Sequence, residues 1–202
     1  IDVTTRGPHI LHEVENINLK EGDQVIGRID ANQRIRTMRH HTATHVIGGA
    51  ARRVLGKHIW QSGSDVNEKR GRLDITHFNS ITDTQLKKIE QVANEAIKKR
   101  IPVEKEILTK DRAEKKYGFT LYQGGFIPGS EVRVVHVKSF DAQACGGTHL
   151  NNTSEIQKIK ILGSKRIQDG VIRITYVAGD VAKQFESEER KLGKDIIAAF
   201  GT

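Results

Sequence analysis

Two four-residue spacings constrain the fold more than anything else in the chain. In "HTATH", His41 and His45 stand four apart; in "CGGTH", Cys145 stands four before His149 and is the only cysteine among 202 residues. Four helical steps of about 100° return nearly to the same face, so two imidazoles on a helix point at one spot. Around Cys145 the glycines Gly146 and Gly147 would let the backbone curl until sulfur and imidazole converge. One thiolate and three imidazoles suit tetrahedral zinc. A lone cysteine cannot close an internal disulfide, and taken singly it is usually an inert small hydrophobe. A single HxxxH pair is likewise more often two unrelated histidines, but two such pairs in one chain favour a metal. A fold that uses both must bring an early helix against a late turn. His40 lies about 100° off the shared face and reads as a residue outside the ligand set or in solvent. His9, His12, His58 and His136 show no comparable pairing.

The segments around these pairs read as mixed α and β. Residues 34–55 carry apolar positions at Ile35, Met38, Val46, Ile47, Ala50 and Val54, with Gly56 placed to end a helix. Gly48 and Gly49 each weaken that helix by about 1 kcal/mol relative to Ala, so they point to close packing against a neighbour or a ligand. The runs 58–66 and 70–78 predict a hairpin across "NEKRG". Thr82 and Gln85 form a capping-box pattern opening a helix that Pro102 ends. A strand at 103–108, a short helix at 111–117 and a glycine-rich loop, "YGFTLYQGGFIPG", follow. Strands are expected at 131–137, 154–167 and 171–179, and a polar helix from Asp180. The sum is an α+β fold, a two-layer sandwich of long helices on an antiparallel sheet. Three parts are expected: residues 1–33, read as strand fragments "HILHEVE" and "QVIGRID" from the end of a preceding β-barrel; 34–179, the metal-bearing domain; and 180–202, a helix leading to a region further along a longer protein.

A net charge of +8 favours polyanionic partners such as nucleic acid. Arg34, Arg36, Arg39, Arg52 and Arg53 near the first helix, and Lys165 and Arg166 in the late turn, are candidate phosphate contacts. With 5% aromatic residues and no "GFGFV"-type array, a base-stacking sheet is not expected. Nothing approaches the roughly 18 apolar residues of a membrane span, and a cytoplasmic location with no membrane partner is expected.

"HTATH", "WQSGS", "GRLDITHF", "CGGTHL" and "GSKRIQDGVIRITYVAG", in that order, resemble the editing domain of alanyl-tRNA synthetase and the free-standing AlaX-type trans-editing proteins. The glycine-rich loop resembles the archaeal version. The threonyl-tRNA synthetase editing domain shares the two-pair layout, but "CGGTH" with "DGVIRI" is closer to the alanyl type. The resemblance implies hydrolysis of the ester joining serine or glycine to the 3′ end of the alanine tRNA. It implies zinc on His41, His45, Cys145 and His149, a polar pocket residue at Gln61, and a structural role for Arg72 and Asp74. The family's aminoacylation core and a dimer-forming C-terminal region would lie elsewhere in a parent protein.

Serine differs from alanine by one hydroxyl, and a site that hydrogen-bonds that hydroxyl can disfavour its absence by up to ~10⁴-fold. The site should therefore be polar. Gln61 and Thr44 are the candidate catalytic groups, and Thr42, Gly146, Gly147 and Thr148 the other candidate substrate contacts. No serine stands in a nucleophile elbow, so water is the expected attacker. Four protein ligands also fit a closed, structural metal, and a zinc-stapled tRNA-binding module without catalysis is the competing expectation.

Overall fold

The structure is a computed structural model that describes residues 2–6, 9–15, 18–123, 125 and 127–200. Gly124 and Phe126 of the glycine-rich loop lie outside the described residues, as does the side chain of Phe200. The chain divides into two compact units, Ile1–Asp30 and Ala31–Thr202. In the first, β1 (Asp2–Arg6) and β2 (His9–Glu13) form an antiparallel hairpin that pairs Val3 with His12 and Thr4 with Leu11. The expected strand over 24–30 does not form. Apolar Val25, Ile26 and Ile29 are all exposed there, and an extended run becomes a strand only where another supplies its ladder.

The second unit opens with α1 (Ala31–Leu55), three residues before the expected start, and ends at Gly56, whose φ of 121° suits glycine. β3 (Gln61–Val66) and β4 (Gly71–Thr76) are the expected hairpin, its turn held by Asn67 Oδ1, which accepts the N–H groups of Lys69 and Arg70. Helix α2 (Asp83–Lys98) has the full capping box of Thr82 and Gln85. After it come β5 (Val103–Thr109), α3 (Lys110–Tyr117), β6 (Glu131–Val137), β7 (Asp141–Ala144), β8 (Ile159–Gln168), β9 (Val171–Ala178) and α4 (Asp180–Phe200).

The strands of this unit make two antiparallel sheets where the sequence suggested one: β3-β4-β9-β8 and β5-β6-β7. The strand expected from Ser154 begins instead with a 3₁₀ turn, Thr153–Ile156, because Asn152 caps Ser154 and Gln157 takes a left-handed φ of 70°. β7 was not expected. α1 and α2 cover one face of the four-stranded sheet. Val46, Ile47 and Ala50 of α1 and Ile89 and Ala93 of α2 meet Leu73, Ile75, Ile172, Ile174 and Tyr176 in one buried core. Gly49 has the packing role its position suggested: a Cβ there would meet the Phe140 ring at 2.9 Å. Among the described residues no helix is long and apolar enough to cross a membrane.

Candidate metal centre

α1 carries His41 and His45 to the loop that follows β7, and all four side chains meet. One ligand atom from each of His41, His45, Cys145 and His149 lies within 4.8 Å of every other. Cys145 Sγ is 3.5 Å from His41 Nε2 and 3.3 Å from His149 Nε2. Zn–S and Zn–N bonds of about 2.3 and 2.1 Å at tetrahedral angles put neighbouring ligand atoms about 3.5 Å apart, so these two edges already have metal-site length.

His41 and His149 have polar partners behind their rings, and His45 faces a carboxylate. The His41 ring donates to the carbonyl of Thr148, and His149 Nδ1 lies 3.3 Å from Thr42 Oγ1, which itself accepts the N–H of Leu150. His45 Nδ1 sits 3.9 Å from the buried carboxylate of Asp141, the arrangement of a carboxylate behind a metal-bound histidine. Arg52 Nη1 is 3.1 Å from Asp141 Oδ1, but poorly aligned: His45 Nδ1, Arg52 Nε and Asp141 Oδ1 have no hydrogen-bond partner.

Burial first, and then the neighbouring positive charges, hold the imidazoles neutral. His45 is lowered to about 3, and His41 and His149 are also lowered. Neutral imidazoles keep their lone pairs for a cation. Burial pushes the Cys145 thiol up, opposed by the Gly147 N–H and by Arg133, so losing its proton calls for a cation at the sulfur. The donor set therefore fits zinc.

The glycines act differently from expectation. Neither Gly146 nor Gly147 has a positive φ, so they do not bend the chain by left-handed turns. A Cβ on Gly147 would fall inside the His41 ring, whereas one on Gly146 would meet open space. Arg133 sets the curl: its Nη1 donates to the carbonyls of Cys145 (2.6 Å) and Gly147 (2.9 Å). Beside the sulfur a cleft of about 420 Å³ is lined in part by Gln123, Arg133, Ala144, Cys145 and Gly146.

The other candidates are placed less uniformly. Gln61 donates its backbone N–H to Gln123 Oε1 at 2.6 Å and its side-chain amide to Ser64, which ties it to the cleft wall through Gln123. Thr44 is buried on the face of α1 next to the one bearing the ligands, its hydroxyl between the His40 carbonyl and the Tyr176 hydroxyl. Thr42 is fully buried, and Thr148 is exposed. His40 is not in solvent: it is fully buried, with Nδ1 on the Arg36 carbonyl and Nε2 accepting from the N–H of Ala178. Nor is His58 unpaired, since its Nε2 lies 2.9 Å from His77 Nδ1.

Four of the basic candidates are committed within the fold. Arg36 and Arg39 pair with Asp180, Arg52 faces Asp141, and Arg53 donates to the carbonyls of Gly49, Ser139 and Phe140. Lys165 and Arg166 are exposed, with Arg166 near Asp169 and on the Phe78 carbonyl. Asp141 and Arg133 were missed by the sequence reading. A period-two reading of "DAQAC" could have found the first, because it puts Asp141, Gln143 and Cys145 on one face.

The family model for the threonyl and alanyl tRNA synthetase second additional domain matches residues 132–175, which include the Cys145–His149 pair. The chain is 51% identical over 180 residues to an alanine–tRNA ligase of Methanococcus maripaludis, covering 89% of this chain and 20% of the relative. It is 51% identical over 189 residues to that of Thermococcus kodakarensis, covering 93% and 21%. To that of Sulfurisphaera tokodaii it is 48% identical over 194 residues, covering 96% and 21%. The chain is an editing-type domain of the alanyl-tRNA synthetase family. It spans about one fifth of the length of the relatives it matches. Within that editing-type domain, the paired carboxylate of Asp74, held by Arg72 at 2.7 Å and by Arg173 at 2.7 and 2.9 Å, joins β4 to β9.

Proposed function

We propose that this domain hydrolyses the ester of alanine tRNA mischarged with serine or glycine, with zinc on His41, His45, Cys145 and His149. The observation that carries the reading is the convergence of four deprotonatable or neutral ligand groups, one of which, Cys145, also lines a cleft of about 420 Å³. When bound, zinc would supply a Lewis acid that orients and polarises the ester.

The chain's own residues do the rest. Cys145 and the three histidines form a cluster beside the cleft, held through Thr42 and the Thr148 carbonyl, with Asp141 behind His45. Arg133 fixes the Cys145–Gly147 backbone, which leaves the side-chain-free Gly146 where the ester can approach. Gln123 presents a polar wall, and Gln61 behind it positions that wall, which supports a role for Gln61 at one remove from the reacting atoms. Water attacks the ester carbonyl, the carbon–oxygen bond to the ribose breaks, and the free amino acid and the tRNA 3′ hydroxyl leave. The tRNA(Ala) acceptor end is the partner, in the cytoplasm, and the parent protein would carry the aminoacylation core, a β-barrel that continues the β1–β2 hairpin, and a dimer-forming region beyond α4.

The alanyl type is favoured over threonyl editing by the three relatives near half identity described above, each an alanine–tRNA ligase. One observation favours a second reading: four protein ligands make a closed set, as in a structural zinc. Deacylation of seryl-tRNA(Ala), with and without a chelator, decides between them. Loss of turnover with the metal while tRNA binding persists supports the proposed reaction. Folded, metal-loaded protein that binds tRNA without releasing serine would sink it.

A further inference from the structure

The face of the four-stranded sheet turned away from α1 and α2 carries charge that neither the core nor the metal centre uses. Alternation along β4 and β9 turns Leu73, Ile75, Ile172 and Ile174 toward the core and leaves Arg72, Asp74, Arg173 and Thr175 on the opposite face. A cleft of about 250 Å³ there is lined by Asp65, Arg70, Arg72, Lys165, Arg173 and Thr175. Its size matters, because at about 30 Å³ per water it holds several waters' worth of ligand, room for a phosphate group.

Register places these groups in two adjacent rows. Asp74, Arg173 and Lys165 are neighbours across β4, β9 and β8, and Asp65, Arg72 and Thr175 across β3, β4 and β9. The nearly buried Asp74 carboxylate binds both guanidiniums, Arg173 through Nε and Nη2 and Arg72 through Nη1. One carboxylate between two arginines leaves one positive charge over and holds both guanidiniums in place; Arg173 spends Nε and Nη2 on Asp74, so the cluster offers a fixed positive charge to a phosphate. Lys165 adds an exposed cation from β8, and Arg70 another from a turn whose backbone Asn67 fixes. Asp65, 3.9 Å from Arg72 Nε, offsets one of these. A second hollow, of about 200 Å³, shares Lys165 and Thr175 and extends the surface along β8 past Ser164.

We infer that this cleft binds phosphodiester groups of an RNA backbone through Arg70, Arg72, Lys165 and Arg173. The inference rests on the proposed reading in that the RNA is the substrate tRNA. It places the basic footprint on the far side of the sheet, where Arg70 and Lys165 add charge to the Arg72–Asp74–Arg173 cluster, rather than on Arg36, Arg39, Arg52 and Arg53, which face Asp180, Asp141 and backbone carbonyls.

The test is titration of an unacylated tRNA(Ala) transcript with the full chain across a potassium chloride series. Arg70→Glu with Lys165→Glu should weaken binding at least tenfold at low salt. Each cation removed from the phosphates should flatten the slope of log affinity against log salt by about 0.7–0.9, so the pair should flatten it by about 1.5. Arg70→Lys with Lys165→Arg should keep both affinity and slope. Should the reversed pair fail to fold, the neutral pair Arg70→Gln with Lys165→Gln should flatten the slope by the same amount. A folded charge variant with unchanged affinity and slope would overturn the inference. Wild-type protein that binds with the expected slope yet releases no serine from seryl-tRNA(Ala) would overturn the reaction and leave this cleft standing.

Discussion

Two neighbouring faces of α1 carry the same residue types to opposite ends. On one, His40 and Thr44 are buried and fully partnered: the His40 ring spans from the Arg36 carbonyl to the N–H of Ala178, and Thr44 bonds the His40 carbonyl and Tyr176. On the next, His41 and His45 converge with Cys145 and His149; the His41 ring is held by the Thr148 carbonyl, and His45 Nδ1 lies 3.9 Å from Asp141. A buried histidine with a protein partner on both nitrogens is part of the core. One whose nitrogen converges with other donor atoms is placed to hold a cation.

That contrast can be broken from the ligand side first. Cys145→Ala removes the only sulfur ligand and should abolish seryl-tRNA(Ala) release and leave less than a tenth of the wild-type zinc by elemental analysis, a loss on the order of 10²-fold or more in affinity. Gly147→Ala should follow with a 10–100-fold loss of zinc affinity in a chelator competition, because its Cβ would displace the His41 ring. Elemental analysis showing full zinc in this variant would remove the steric argument.

From the partnered face, His40→Ala should leave zinc content unchanged while lowering stability by about 2–4 kcal/mol in urea, through a cavity and an unsatisfied Ala178 N–H. Acid should act on both faces of the metal-free chain. His45 is lowered to about 3 from an ordinary 6.5, with His40 lowered too, in each case chiefly by burial. The unfolded chain therefore binds more protons below pH 6.5, and stability rises with pH up to that point and is lost below it. For one such proton the thermal midpoint should drop by roughly 3 °C per pH unit, and a flat midpoint between pH 6.5 and 5 would refute this. The smallest effect belongs to Gly146→Ala, which meets open space and should change zinc affinity by less than about twofold.

Much of this was legible in the residues. The two four-residue His/Cys spacings, the Thr82 capping box and the 61–76 hairpin could be read from spacing, caps and turn residues, because each depends on neighbours within a few positions, and the α+β class followed from their sum. The strand expected at 24–30 and the one begun at Ser154 went astray for a different reason: apolar alternation marks what could pair, and pairing depends on a partner strand. Asp141 and Arg133 were missed because their importance comes from what they touch across the fold, His45 and the Cys145–Gly147 carbonyls.

The sequence by itself determined which atoms could hold a metal, through two four-residue spacings and one cysteine. Only the tertiary structure decided the rest: that the two pairs meet, that His40 belongs to the core, that Gly147 is small because of His41, and that Arg36, Arg39, Arg52 and Arg53 are committed elsewhere. Local spacing fixes direction along one element, but whether a polar side chain is a ligand, a core partner or a free charge depends on which distant groups fill its remaining hydrogen-bonding capacity.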